Sequence, residues 1–432
     1  MQLFIHKKFE AMKWFKILVM TLAALAISCE KNGPDNDDPV SVEDLIPRKD
    51  IELTRSQGEF VKSNNGFALD LFKRVAEAEE GKSMLVSPIS VTYALGMVDN
   101  GAVGDTQKEI NEVLGYKGDG IDGLNSFCKT MLEQGAAVDP STIIDFANMA
   151  VINKRFIPLK DSFTKTVQDN FEANVLYKDF EKDDIKSMIN KWCEEKTNGM
   201  IKDFLSQQVD PLEYAHFLNA TYFKGIWSSR FKKEDSRKES FTSADGKKIS
   251  LNMMHQKANF NYGGIAGLCT AVCLPYGNQA YRMVLLLPYK DKTLDDLKAG
   301  LTLDSWNRLG MSVHEVDVKV PSFESEFGTK SLLQTLHEMG IKKAFDSNLA
   351  DFSNMTATPV FISDILHKAK IKVDEQGAEA AAVTDVIMKY TSVGPIPSEP
   401  MTYEFHADRP FLYAITEVST GVIYFIGQYT GI

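Results

Sequence analysis

Residues 374–388 read DEQGAEAAAVTDVIM, and no other stretch of this 432-residue chain limits its fold as much. Taken with a period of two, one set of positions is Ala378, Ala380, Ala382, Thr384, Val386 and Met388, uncharged and small at its start. The alternate set, Glu379, Ala381, Val383, Asp385 and Ile387, holds two acids. A strand of this sequence would carry its charge on one face and could slide the other beneath covering structure. Gly377 and the alanines nevertheless weaken strand propensity and suit a hinge or a helix. Such a segment fits a fold that keeps a place in a sheet and fills it conditionally. An Ala-rich surface helix or linker is the plainer reading of these residues alone.

The longer stretch HKAKIKVDEQGAEAAAVT (367–384) resembles the hinge of a serpin, a metastable protease inhibitor that traps its target covalently. Further segments resemble that family in the same order. They are NNGFALDLF (64–72), MLVSPISVTYALGMVDNGAVGDTQKEI (84–110), INKWCEEKTNGMIKDFL (189–205), FLNATYFKGIWSSRF (217–231), LHEMGIKKAF (336–345) and DRPFLYAITEVSTGVIYFIGQ (408–428). The chain is identified as a member of the family over roughly residues 55–432. The resemblance implies an α+β fold, with mixed helices packed on three β-sheets. One sheet is large and central, and a reactive-centre loop near the C-terminus is exposed.

With 44% hydrophobic residues the chain can bury a large core, and no repeat or Pro/Gly/Ser-rich linker divides it after Arg55. One domain over 53–432 is expected, with hinge and loop at 374–407. Before it, Lys7, Lys8, Lys13 and Lys16 precede an 11-residue apolar run at 17–27, too short to span a bilayer comfortably. Residues 1–28 read as a signal peptide. Ala26-Ile27-Ser28-Cys29 resembles a bacterial lipobox, which makes Cys29 the expected lipid-bearing residue. Glu30 is not the Asp that commonly retains lipoproteins in the inner membrane, so the expected location is the outer membrane, at the cell surface. A periplasmic or secreted protein is the alternative. Residues 29–52, acidic and broken by three prolines, read as a flexible tether.

Loss of residues 1–28, with four lysines and one glutamate, takes the net charge from −11 to −14. That balance and the lack of a basic stripe argue against nucleic acid. Some serpins are activated by heparin, but the corresponding stretch 124–134 holds Lys129 as its one base, which argues against that partner. Cys128, Cys193, Cys269 and Cys273 are expected as free thiols. In a strand, Cys269 and Cys273 would sit about 13 Å apart, too far to bridge.

No enzyme motif survives inspection. There is no GxSxG or HExxH, and His337-Glu338 lacks a second histidine. Gly118, Gly120 and Gly123 fit GxGxxG as a string, but they follow a helical stretch and carry acids where pyrophosphate would sit. No cofactor or metal is expected.

What the resemblance implies is mechanical. A serine protease cleaves the loop, and the hinge enters the central sheet with Ala378, Ala380 and Ala382 inward. The acyl-enzyme is dragged away before it hydrolyses, giving a covalent 1:1 complex of a monomeric inhibitor. Family spacing puts the reactive bond between Thr391 and Ser392. Lys389 and Tyr390 remain alternatives, because a longer loop before Arg409 blurs the register. Pro395 and Pro397 cannot donate to a ladder, so the inserting strand ends before them. The family's shutter maps to Ser87, Ser90, Asn219 and His367, and its breach to Trp227. Glu375 matches the hinge acid, but Ser322 stands where its lysine partner is usual. A non-inhibitory carrier is the rival reading. The hinge lacks the prolines and bulky inward charges common in such members, which favours an inhibitor of extracellular serine proteases, with papain-like cysteine proteases as a further target class.

Overall fold

The computed structural model describes residues 46–115, 120–135, 137–377 and 401–432. The expectations for Cys29, Ala378, Ala380, Ala382, Lys389, Tyr390, Thr391 and Ser392 lie outside the described residues. The first helix, α1 (Arg55–Ala78), is started by a capping box in which Thr54 and Gln57 exchange hydrogen bonds. After strand β1 (Met84–Val86), the run PISVTYALGMVD is apolar nearly all round, and it forms the buried helix α2 (Pro88–Asp99).

In chain order there follow α3 (Gly104–Leu114), α4 (Gly120–Gly135), β2 (Ile143–Asn153), α5 (Asp161–Phe171), β3 (Asn174–Lys178), α6 (Ile185–Lys196) and β4 (Ala215–Lys224). The middle of the chain supplies β5 (Arg237–Thr242), β6 (Lys248–Ile265), β7 (Cys269–Tyr276), β8 (Tyr281–Pro288), α7 (Leu294–Gly300) and α8 (Leu303–Asn307). The last elements are β9 (Gly310–Pro321), β10 (Phe323–Ser331), α9 (Leu333–Met339), β11 (Leu366–Val373), β12 (Tyr403–His406), β13 (Phe411–Glu417) and β14 (Ile423–Tyr429).

The strands form three sheets, with helices packed against them. A nine-stranded sheet runs β1-β14-β13-β8-β7-β6-β9-β12, with β5 on β6. Its strands β13 and β14 are buried at every residue, which explains why FLYAITE and IYFIGQY carry little polar alternation. The other two sheets are β3-β2-β4 and β10-β11. They lie side by side as two parts of the central layer, with β4 and β11 as facing edges. Among the described residues no ladder joins those edges.

On β4, Phe223 points inward against Tyr276, Tyr281 and Phe425, so Thr221 and Asn219 share its inner face. On β11 the buried positions alternate through His367, Ala369, Ile371 and Val373. Helix α6 covers the outer side, where Ile185, Ile189 and Cys193 pack with Met149, Val151 and Leu218, and Leu366 of β11 joins them. Cys128, Cys193, Cys269 and Cys273 are all buried and free. Burial pushes the Cys193 thiol up to about 12 and Cys269 to about 11, so neither is a thiolate at neutral pH.

Candidate functional site, a seam between two strand edges

The seam between β4 and β11 is closed at one end by the hinge. There the chain leaves β11 and turns, with Asp374 and Gly377 exchanging backbone hydrogen bonds of 3.1 and 3.2 Å. Gly377 also pairs antiparallel with Ile226, just past the end of β4. Since Gly377 runs antiparallel to both neighbours, β4 and β11 run the same way, and Gly377 sits between them. Its φ is +118°, and an added Cβ would lie 2.4 Å from the Gly225 carbonyl oxygen and 2.7 Å from Ile226 Cα. Only glycine fits this approach.

Trp227 anchors the same turn. Its indole is buried and stacks on Tyr276, and its Nε1–H donates to the Asp374 carbonyl over 2.9 Å. The Trp227 and Phe231 amides donate to the Gln376 and Glu375 carbonyls at 3.2 and 3.1 Å. Among the described residues Glu375 is not ion-paired with a lysine, and Ser322 stands at the position where one is usual. Asn252 Nδ2 donates to Glu375 Oε1 at 2.8 Å, and Ser322 instead bonds Asn252, donating its N–H to the Asn252 carbonyl at 2.8 Å. Burial alone would raise the Glu375 carboxyl. Its own backbone N–H, Asn252, Ser236 and the Lys233 charge together hold it below the usual range.

At the other end of the seam lies a cavity of about 440 Å³, whose lining includes Ser90, Phe217, Asn219, Ile365, Leu366 and His367. His367 is buried, and its Nε2 accepts the Ser87 N–H at 3.1 Å, so the neutral ring carries its proton on Nδ1. Burial pushes this imidazole down to about 4. Ser87 stands at the N-cap of α2, but its hydroxyl does not cap the helix; it donates to the Tyr424 carbonyl at 2.9 Å. Asn219 faces the same cavity and bonds elsewhere: it donates to Asn148 at 2.9 Å and accepts from Thr221 at 2.7 Å.

The structure therefore brings Ser87 and His367 into direct contact, sets Ser90 and Asn219 around the cavity they border, and puts Glu375, Gly377 and Trp227 at the opposite end. Sequence reasoning missed Asn252, Asn148 and Tyr276. For Asn148 the signal is pairing register, since it stands directly opposite Asn219 in the β2–β4 ladder. Among the described residues no group of His, Cys, Asp and Glu could hold a metal ion.

The hinge is thus bridged to the ends of both strands, while among the described residues no ladder joins β4 to β11. A family model described as Serpin (serine protease inhibitor) matches residues 62–432. Iripin-1 of Ixodes ricinus is 33% identical over 385 residues, covering 87% of this chain and 95% of its own. The thermophilic serpin Tengpin in its native state superposes with a TM-score of 0.76 at 26% identity, over 90% of this chain and 97% of that one. Human thyroxine-binding globulin complexed with thyroxine gives a TM-score of 0.76 at 27% identity, over 86% and 98%. The chain belongs to the serpin family.

Proposed function

We propose that this chain inhibits extracellular serine proteases as a suicide substrate, by inserting its cleaved loop into the seam. The observation that carries the reading is the register fixed by Gly377. Counted from its pairing with Asp374, an antiparallel strand would set Ala378 opposite Val373, Ala380 opposite Ile371, Ala382 opposite Ala369 and Thr384 opposite His367. Counted independently from Ile226, the same strand would set Ala380 opposite Phe223, Ala382 opposite Thr221 and Thr384 opposite Asn219. Directly opposed residues share a face. Both edges thus assign the small residues to the inner side and meet Thr384 with a polar pair. Glu379 would emerge outside, between Lys224 and Lys372.

The protease serine oxygen attacks the carbonyl carbon of the reactive bond, which we set between Thr391 and Ser392, with Lys389 and Tyr390 as further positions. An ester to the enzyme forms, the peptide bond breaks, and the new amine leaves with the proton. Insertion then competes with hydrolysis of that ester. About a dozen new backbone hydrogen bonds, at ~0.5–1.5 kcal/mol each, give a driving force on the order of 10 kcal/mol. Helix α6 overlies the seam and must shift aside while the strand enters. The cavity beside His367 offers room for the strand's far part.

Lipid attachment at Cys29 and an outer-membrane location follow from the signal at 1–28, and replacing Cys29 with Ala should release the protein from membranes. The acidic charge and Lys129 as the one base in 124–134 support an inhibitor that works without heparin. The test is incubation with elastase, trypsin and chymotrypsin. An SDS-stable complex at a stoichiometry near one is expected, with mass spectrometry of the released peptide fixing the bond. Clean loop cleavage with no complex would assign the chain to the non-inhibitory members instead.

A further inference from the structure

We propose that Asn252 is a positioning residue for insertion: by holding Glu375 it keeps the hinge turn in the register from which strand addition proceeds. This rests on the inhibitory reading above. Glu375 is one of the two residues between Asp374 and Gly377, so whatever fixes its side chain fixes the turn. Asn252 belongs to β6, paired on one edge with β5 (Lys238 opposite Asn252) and on the other with β9. Its backbone carbonyl is tied to the Ser322 N–H at 2.8 Å, and its Nδ2 lies 3.5 Å from Ser322 Oγ. The donor is therefore held on a rigid sheet, while its acceptor sits on the hinge, 123 residues away in sequence.

The contact has a direction. Gly377 already occupies the place of the incoming strand, so the turn need not move as that strand adds residue by residue behind it. A bond that holds the turn favours the first step of insertion and does not oppose opening. The Asn252 amide suits this task because it carries no charge that would need a counter-ion once the layer closes. Ser236 and Lys233, which precede β5, add to the field at the carboxylate; among the described residues acting on it from outside the hinge, Asn252 is the one carried by a strand.

The test compares Asn252→Ala, Glu375→Ala and the double variant with the unmutated chain, measuring the fraction of protease that escapes by hydrolysis for each acyl-enzyme formed. A hydrogen bond to a partly exposed charged group predicts that escape rises roughly three- to tenfold in each single variant. The rate of loop cleavage stays unchanged, and the double variant is no worse than either single one. Asn252→Asp, nearly isosteric and like-charged, should raise escape at least as much. Ser322→Lys added to Asn252→Ala should restore trapping by placing an ammonium beside Glu375. Escape equal to that of the unmutated chain, or effects that multiply in the double variant, would overturn the proposal. Loss of loop cleavage in step with trapping would mark a general folding defect and also overturn it. Absence of any complex with the unmutated chain would remove the inhibitory reading itself, a result visible before any variant is compared.

Discussion

The ring centroids of Trp227 and Tyr276 lie 4.4 Å apart, with planes 12° from parallel. That stack holds the indole edge-on to the hinge, where Nε1–H meets the Asp374 carbonyl at 2.9 Å. Trp227→Phe keeps the aromatic stack and removes the donor. The intact protein should lose about 1 kcal/mol, equivalent to only about 1–1.5 °C in melting temperature for a domain of this size, at ~2.1 cal/mol/K of unfolding entropy per residue. Calorimetry of the uncleaved protein checks this, and an unchanged transition would mean that the indole N–H does not hold the hinge.

Gly377→Ala tests the tight approach of the hinge to Gly225 and Ile226. With φ at +118° and backbone atoms 2.4–2.8 Å from the added Cβ, relief requires the turn to move. The cost should be about 1–3 kcal/mol, spent at the point where insertion starts. On SDS gels the share of loop-cleaved inhibitor should grow at the expense of complex. Trapping at the unmutated efficiency would show that the bridge to Ile226 is dispensable.

Ala380→Arg addresses the register itself. In the proposed inserted state, continuing the register of Gly377 would set Ala380 inward, opposite Ile371 and Phe223, where a guanidinium would be buried without a partner at a cost of several kcal/mol. The variant should be cleaved normally and fail to trap. Nicking should raise the melting temperature of the unmutated protein strongly and that of Ala380→Arg little. Equal gains in both would exclude strand insertion at this register.

What the sequence made legible was local or strongly patterned. The all-round apolar run of α2 could be read directly because it lies within one element, and the parity of residues 378–388 is a property of the sequence itself. The family's motifs singled out Trp227, His367 and Glu375; the structure sets Trp227 and Glu375 at the hinge and His367 at the cavity. The polar partners were another matter. The family's shutter groups Asn219 with Ser87, Ser90 and His367, yet Asn219 spends its amide on Asn148, and only the ladder register reveals that. Ser322 signalled the loss of a lysine, while nothing in LNMMH marks Asn252 as the group that takes its place. Such contacts depend on where two sheets meet, not on periodicity within either strand.

Asp99 offers a stability test away from the seam. It lies at the last position of α2, fully buried, and neither carboxylate oxygen has a partner among the described residues. Burial pushes its carboxyl up to about 8, and the helix C-terminus is itself a poor place for negative charge. The folded state thus holds a proton that the unfolded chain releases near pH 4, and stability falls as pH rises from there through about 8. Asp99→Asn should raise the melting temperature of the intact protein at pH 8 and matter least below pH 4. Identical pH profiles for both proteins would show that Asp99 is ionised at no such cost.

His367 should impose the opposite slope. Its imidazole titrates near 6.5 when unfolded and near 4 when folded, so the unfolded chain binds the extra proton between those values. Stability is therefore complete above pH 6.5 and declines as pH falls toward 4, by an amount on the order of 3 kcal/mol. Protonation also removes the acceptor for the Ser87 N–H, the bond that ties α2 to β11 where the seam must part. His367→Gln supplies an amide oxygen that can accept this bond without titrating. Between pH 7 and 4.5 the intact variant should lose less melting temperature than the unmutated protein, whatever their difference at neutral pH. Parallel curves would show that the pH dependence arises elsewhere and that His367 acts only through packing.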